Sequence, residues 1–160
     1  MNVSLIKTCS LFGHRRIWNQ SEVKEKLRIE IEKQIQNGFN RFLVGTHGDF
    51  DSIALSVLRD LRRTYQDIKI IVVFTSLYPF QKDKFGFSIS QLYEDVETLT
   101  YPIEDEYFKR QIIMNNRYMI NDSDLVICYV DTKSYQSGAK LAMKYAIKQQ
   151  KVLVNVFDSC

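Results

Sequence analysis

Cysteine is scarce and unpatterned in this sequence. Only Cys9, Cys128 and Cys160 occur, an odd number with no CxxC spacing, which speaks against a disulfide framework and a zinc site. Cys9 and Cys128 fall in apolar runs and read as small core residues in a reducing compartment. Proline and glycine are thin as well, at 2 and 6 residues, and there is no linker, repeat or low-complexity segment. No apolar run approaches the ~18 residues of a membrane span, and no basic stretch followed by a long apolar one stands at the N-terminus. A surplus of one charge sign is also missing. The 22 Lys and Arg face 19 Asp and Glu, a net charge of +3, too little to argue for nucleic acid. No metal site and no cofactor is indicated. A soluble cytoplasmic protein is expected, with neither a membrane nor a nucleic acid as partner.

What is present suits one domain spanning residues 1–160, with 45% hydrophobic and 26% charged residues around a single core. A first strand is expected at about residues 5–12. A helix follows from Ser21 to Gln36, with Val23, Leu27, Ile31 and Ile35 on one face and Asn37-Gly38 as its stop. Phe42-Leu43-Val44 reads as a buried strand. Ile53, Leu55, Val57, Leu58 and Leu61 then recur at helical spacing, with Asp49 or Asp51 expected as the cap. Ile68–Phe74 is a third strand. Residues 75–95 read as a long loop with a short helix near Ser88–Asp95, and Val96–Tyr101 as a short strand. A helix at about 104–121, a strand at Asp124–Asp131, a helix from Gly138 to Gln150 and a strand at Lys151–Phe157 complete the order. Strands alternating with helices predict an α/β fold, a doubly wound, mainly parallel sheet with helices on both faces.

In such a sheet ligands bind beyond the C-terminal strand ends. Four pieces share that rim: Gly13–Arg16, Gly45–Asp49, Thr75–Pro79 and Asp131–Gly138. The turn Gly45-Thr46-His47-Gly48, between a strand and a helix N-terminus, aims backbone N–H groups and the helix dipole at one point, which suits a phosphate. The alternative is a βα turn in which glycine is simply the easiest residue. His14 and His47 could hold a phosphate, act as acid and base, or be plain loop residues. Arg15, Arg16 and Arg117 are candidates for bidentate phosphate contacts, while Arg117 has ion pairing with Asp122 or Asp124 as its alternative. Asp49, Asp51 and Asp131 are carboxylates at the rim, as catalysts or as caps and turns. Phe74, Tyr78, Phe80, Phe85 and Phe87 offer rings for stacking or for packing under the long loop. Arg59, Arg62 and Arg63 suit the negative end of their helix dipole.

Gly13-His14-Arg15 resembles the GHR element of the YpsA-like branch of the SLOG superfamily. Gly45 and Gly48, with Phe50-Asp51 and Ala54 behind them, resemble its glycine turn and small-residue helix. Asn116-Arg117-Tyr118-Met119-Ile120-Asn121-Asp122-Ser123-Asp124-Leu125-Val126-Ile127 resembles its RNRYMVDxSDLLI stretch. Ser137-Gly138-Ala139 stands where the branch has Gly-Gly-Thr. The likeness runs from about Thr8 to Val156. It implies a Rossmann-like relative of lonely-guy phosphoribohydrolases and DNA processing protein A, with nucleotides or nucleotide-derived molecules as ligands. Resemblance and rim together nominate Gly13, His14, Arg15, Gly45, Thr46, His47, Gly48, Asp51, Arg117, Ser137 and Gly138 for binding. The glycosidase Glu of the lonely-guy enzymes falls at Ala142, which can supply no carboxylate. Binding or sensing a nucleotide is therefore expected first. An N-glycosidase using Asp51 or Asp131 is the alternative, and an adaptor with a vestigial pocket is a third. The helix at 104–121 carries more apolar residues than one face can bury, which predicts a homodimer or higher oligomer.

Overall fold

The computed structural model describes residues 5–74, 89–100 and 108–158. The elements in chain order are β1 (Thr8–Gly13), α1 (Gln20–Gln36), β2 (Arg41–Val44), α2 (Asp49–Arg62), β3 (Lys69–Phe74) and α3 (Ile89–Leu92). They continue with β4 (Glu97–Thr100), α4 (Phe108–Asn121), β5 (Leu125–Tyr129), α5 (Gly138–Lys148) and β6 (Val152–Asn155). The six strands form one sheet in the order β4-β3-β2-β1-β5-β6, with every pairing parallel. The chain winds outward from β1 to β4, then returns to place β5 on the other side of β1. The order reverses between β1 and β5, which opens a crevice beyond their C-terminal ends.

The sheet is covered on both faces because its strands are apolar on both. On one side Leu11, Phe42, Val44, Ile70, Val72 and Ile127 meet α1 and α2. On the other, Phe12, Val126, Cys128 and Val130 meet α5, while Leu43, Ile71 and Val73 meet Met119 of α4. Val23, Leu27 and Ile31 of α1 are fully buried, as their four-residue spacing predicts. The α1 stop is confirmed by Gly38, whose φ of +99° favours glycine. Burial raises the thiols of Cys9 and Cys128, the latter to about 12, so both are inert packing residues.

Several expectations change. Strand β1 starts at Thr8 rather than near residue 5, because Lys7 is held by the Asn40 side chain instead, its backbone N–H donating to Oδ1 at 3.0 Å. Neither Asp49 nor Asp51 caps α2. Gly48 occupies the cap position at φ +96° with no side-chain cap bond. Helix α3 is one turn long, and Thr75–Pro79, Tyr78, Phe80, Phe85, Phe87 and the first residues of the helix expected at 104–121 lie outside the described residues. Phe74 is buried and meets Tyr93 edge-on at 5.3 Å, so it packs. Arg59 and Arg62 both grip Asp95, at 2.8 and 2.7 Å, beyond any help from the dipole.

The α4–β5 junction explains part of the stretch at 116–127. Asp122 pairs with Arg41 at 2.8 Å, and Asp124 accepts the Thr8 N–H at 3.0 Å. Buried Ser123 donates to the Ile120 carbonyl at 2.8 Å and accepts from Ser10 at 3.1 Å. These contacts fix β5 beside β1, and thus the crevice. Among the described residues no helix is long and apolar enough to cross a membrane.

Candidate functional site

A cavity of about 520 Å³ occupies the crevice. Its walls come from the loop after β1, the turn after β2, α4, and the loop leading from β5 into α5. Gly13, His14, Arg15, Arg16, Gly45, His47, Asp51, Asp131, Ser137 and Gly138 all line it. Thr46, Gly48 and Arg117 do not. Arg117 instead lies over the Tyr145 ring at 5.0 Å. Its expected ion-pair partners are engaged elsewhere, Asp122 by Arg41 and Asp124 by the Thr8 backbone.

The glycines differ in what they permit. A Cβ on Gly13 would run into the Phe50 ring, and one on Gly45 would come within 2.9 Å of Asp51 Oδ2. On Gly48 it would reach Arg15 Cα at 2.5 Å, and the backbone there is left-handed. These three glycines let the rim loops pack against one another. A Cβ on Gly138 would meet nothing within 4 Å, so the glycine that leaves room is the one opening α5.

The two rim loops are tied by named bonds. Asp49 N–H donates to the Arg15 carbonyl at 2.8 Å, and Asp49 Oδ2 accepts the Ile17 N–H at 2.9 Å. His14 Nε2 accepts the Asp131 N–H at 2.8 Å, and the backbone N–H of His14 donates to the Tyr129 carbonyl at 3.2 Å. An accepting Nε2 puts the ring proton on Nδ1. Burial lowers the His14 pKa against the opposing pull of Asp131, and burial followed by the charge of Arg15 lowers that of His47. His14 thus ties the ends of β1 and β5, and the His14 and His47 imidazoles both line the cavity.

Asp51 is the chemically unusual residue. Its Oδ2 accepts the His47 N–H at 2.8 Å, yet burial outweighs that bond and pushes its pKa from 3.8 to about 7. It faces the cavity as a carboxyl that changes charge near neutrality.

The donor end lies at α5. Ser137 Oγ accepts the Lys140 N–H at 3.2 Å as the cap, and Lys140 Nζ holds the preceding loop through the Ser134 carbonyl at 2.8 Å. The N–H groups of Gly138 and Ala139 have no acceptor among the described residues. A helix start with free N–H groups and its positive dipole end favours an anion. Sequence reasoning missed Trp18 and Tyr135, which line the cavity at 92% and 96% exposure. Tyr135 sits within the Asp131–Gly138 piece already singled out, and Trp18 stands two residues beyond the Gly13–Arg16 piece. It also missed Asn115, a buried α4 residue that nothing in the sequence marks.

The chain matches the model of the YspA SLOG family over residues 12–156. It belongs to that family. No curated protein matches it. The matched span includes the stretch at 116–127, which runs from α4 into β5. Ala142, where the resemblance leads one to expect the lonely-guy Glu, is buried with Val126, Cys128 and Met143 and does not line the main cavity. A carboxylate there would be desolvated, so the departure from the glycosidase pattern is accommodated by packing.

Proposed function

We propose that this SLOG-family chain binds or senses a nucleotide or nucleotide-derived ligand in the rim cavity, with its phosphate at the start of α5. The observation that carries this reading is the pair of free N–H groups at Gly138 and Ala139, opening on a cavity at the strand-order reversal. Arg15 and Arg16 supply positive charge at the same cavity. A volume of about 520 Å³ is in the range of small-molecule sites. Thermal-shift measurement against nucleoside mono-, di- and triphosphates, cyclic nucleotides and ADP-ribose tests it. At least one should raise the melting temperature in proportion to the logarithm of its concentration above Kd. No shift with any of them refutes the reading.

A second reading, N-glycosidic hydrolysis of nucleotides, draws on Asp51, a cavity carboxyl with its pKa near 7. Against it stands Ala142, and Asp131 is engaged in its own turn, its Oδ1 accepting the Lys133 N–H at 3.0 Å. The expected outcome is no free base from AMP, GMP, CMP, UMP or IMP beyond a buffer control. Base release that vanishes in Asp51→Asn would put the hydrolase first.

A further inference from the structure

Asn115 is 2% exposed, and it lines the cavity from α4. Its Nδ2 donates to the Val73 carbonyl at 3.4 Å, which sets the orientation of the amide, since the reverse would put two oxygens together. Oδ1 is left buried with no hydrogen-bond partner, the one such side-chain atom among the described residues. A buried acceptor without a donor is costly, and native proteins rarely keep one without a reason. Resting on the nucleotide-binding reading above, we propose that Asn115 Oδ1 takes a hydrogen-bond donor of the ligand, an amino or hydroxyl group, and so sets specificity in the cavity.

The groups around Asn115 complement those at the start of α5. Val44 pairs with Val72, so Gly45 and Val73 lie one step further along neighbouring strands. Asp51 Oδ2 sits over Gly45, and Asn115 is fastened to Val73. Two acceptor-bearing side chains are thus anchored at the β2–β3 rim, while the free N–H donors stand at α5. A fully ionised phosphate has no hydrogen to give Asn115, so the anion belongs at α5. The partner of Asn115 must therefore come from an organic phosphate that carries a donor, either a sugar hydroxyl or an amino group on a base.

Equilibrium binding of four probes separates those sources: AMP, IMP, 2′-deoxy-AMP and 3′-deoxy-AMP, each with wild type, Asn115→Leu and Asn115→Ala. The expected wild-type result is a loss of about ten-fold or more for the one analogue that lacks the donor. Asn115→Leu should bind AMP about ten-fold more weakly and no longer tell it from that analogue. Without ligand, its urea midpoint should stay level or rise, because the variant removes an unsatisfied acceptor along with one long bond. Asn115→Ala repeats the test should leucine not fit. Variants that discriminate as wild type does, or a wild type that binds all four probes equally, overturn the role of Asn115 and leave nucleotide binding standing. A wild type that binds none of them removes the nucleotide reading and this inference together.

Discussion

Replacing Asp51 by Asn tests whether the cavity carboxyl is as desolvated as its surroundings indicate. The ordinary carboxyl value of 3.8 applies to the unfolded chain, and about 7 to the folded one. Between those limits the unfolded state gives up its proton while the folded state keeps it. Stability therefore falls as pH rises through this window, and the cost is complete above about pH 7. Each pH unit of difference corresponds to about 1.4 kcal/mol, which bounds the cost at about 4 kcal/mol. The carboxyl faces a cavity open to water, so about 2 kcal/mol is the expected size. Asparagine cannot ionise, yet its Oδ1 can still accept the His47 N–H. Urea unfolding of both proteins at pH 4.5, 5.5, 6.5 and 7.5 gives the comparison, since other groups cancel in the difference. Asp51→Asn should differ least from wild type at the lowest pH and gain relative stability steadily to pH 7.5. Parallel curves with a constant offset would refute the reasoning.

The glycines give an opposed pair of outcomes. Gly48→Ala should destabilise by about 2 kcal/mol or more through left-handed strain and collision with Arg15, measured as a lower urea midpoint. Gly138→Val should leave that midpoint within about 1 kcal/mol of wild type and weaken the binding of any nucleotide that raises the melting temperature. Trp18 is the single tryptophan of the chain and 92% exposed, so its fluorescence should report a base entering the cavity; emission unchanged at saturating ligand places the base elsewhere. Finally, Met114 is exposed on α4 while Ile112 and Ile113 are only half-buried, and light scattering at micromolar concentration should give at least a dimer mass. A strictly monomeric mass counts against it.

The fold was largely legible because its signals are long and redundant. Ile70–Val73 is apolar without interruption, as a strand covered on both faces must be, and α1 and α2 repeat at helical spacing. The rim turns were legible for a related reason, since a parallel sheet sends every strand end to one side. Side-chain direction was harder. Arg117 and Asn115 lie two residues apart on one helix, which puts them roughly on opposite sides. Both are polar residues within a helix that also carries Ile112, Ile113, Met114, Met119 and Ile120, and residue type alone does not tell which of the two faces the cavity. The roles of Gly13, Gly45 and Gly48 were equally hidden, because what crowds them is Phe50, Asp51 and Arg15 brought up by the fold.

The Arg15–Gly48 contact has a consequence for how this rim can change. Gly48 lies so near Arg15 that an added Cβ would stand 2.5 Å from Arg15 Cα, and the Asp49 N–H donates to the Arg15 carbonyl, so each loop holds the other in place. Substitutions in the two should be strongly non-additive. Transplanting residues 13–19 into another scaffold without residues 45–51 would lose the shape of both. For anyone seeking to redesign the specificity of this rim, the two segments form a single cassette to be exchanged whole.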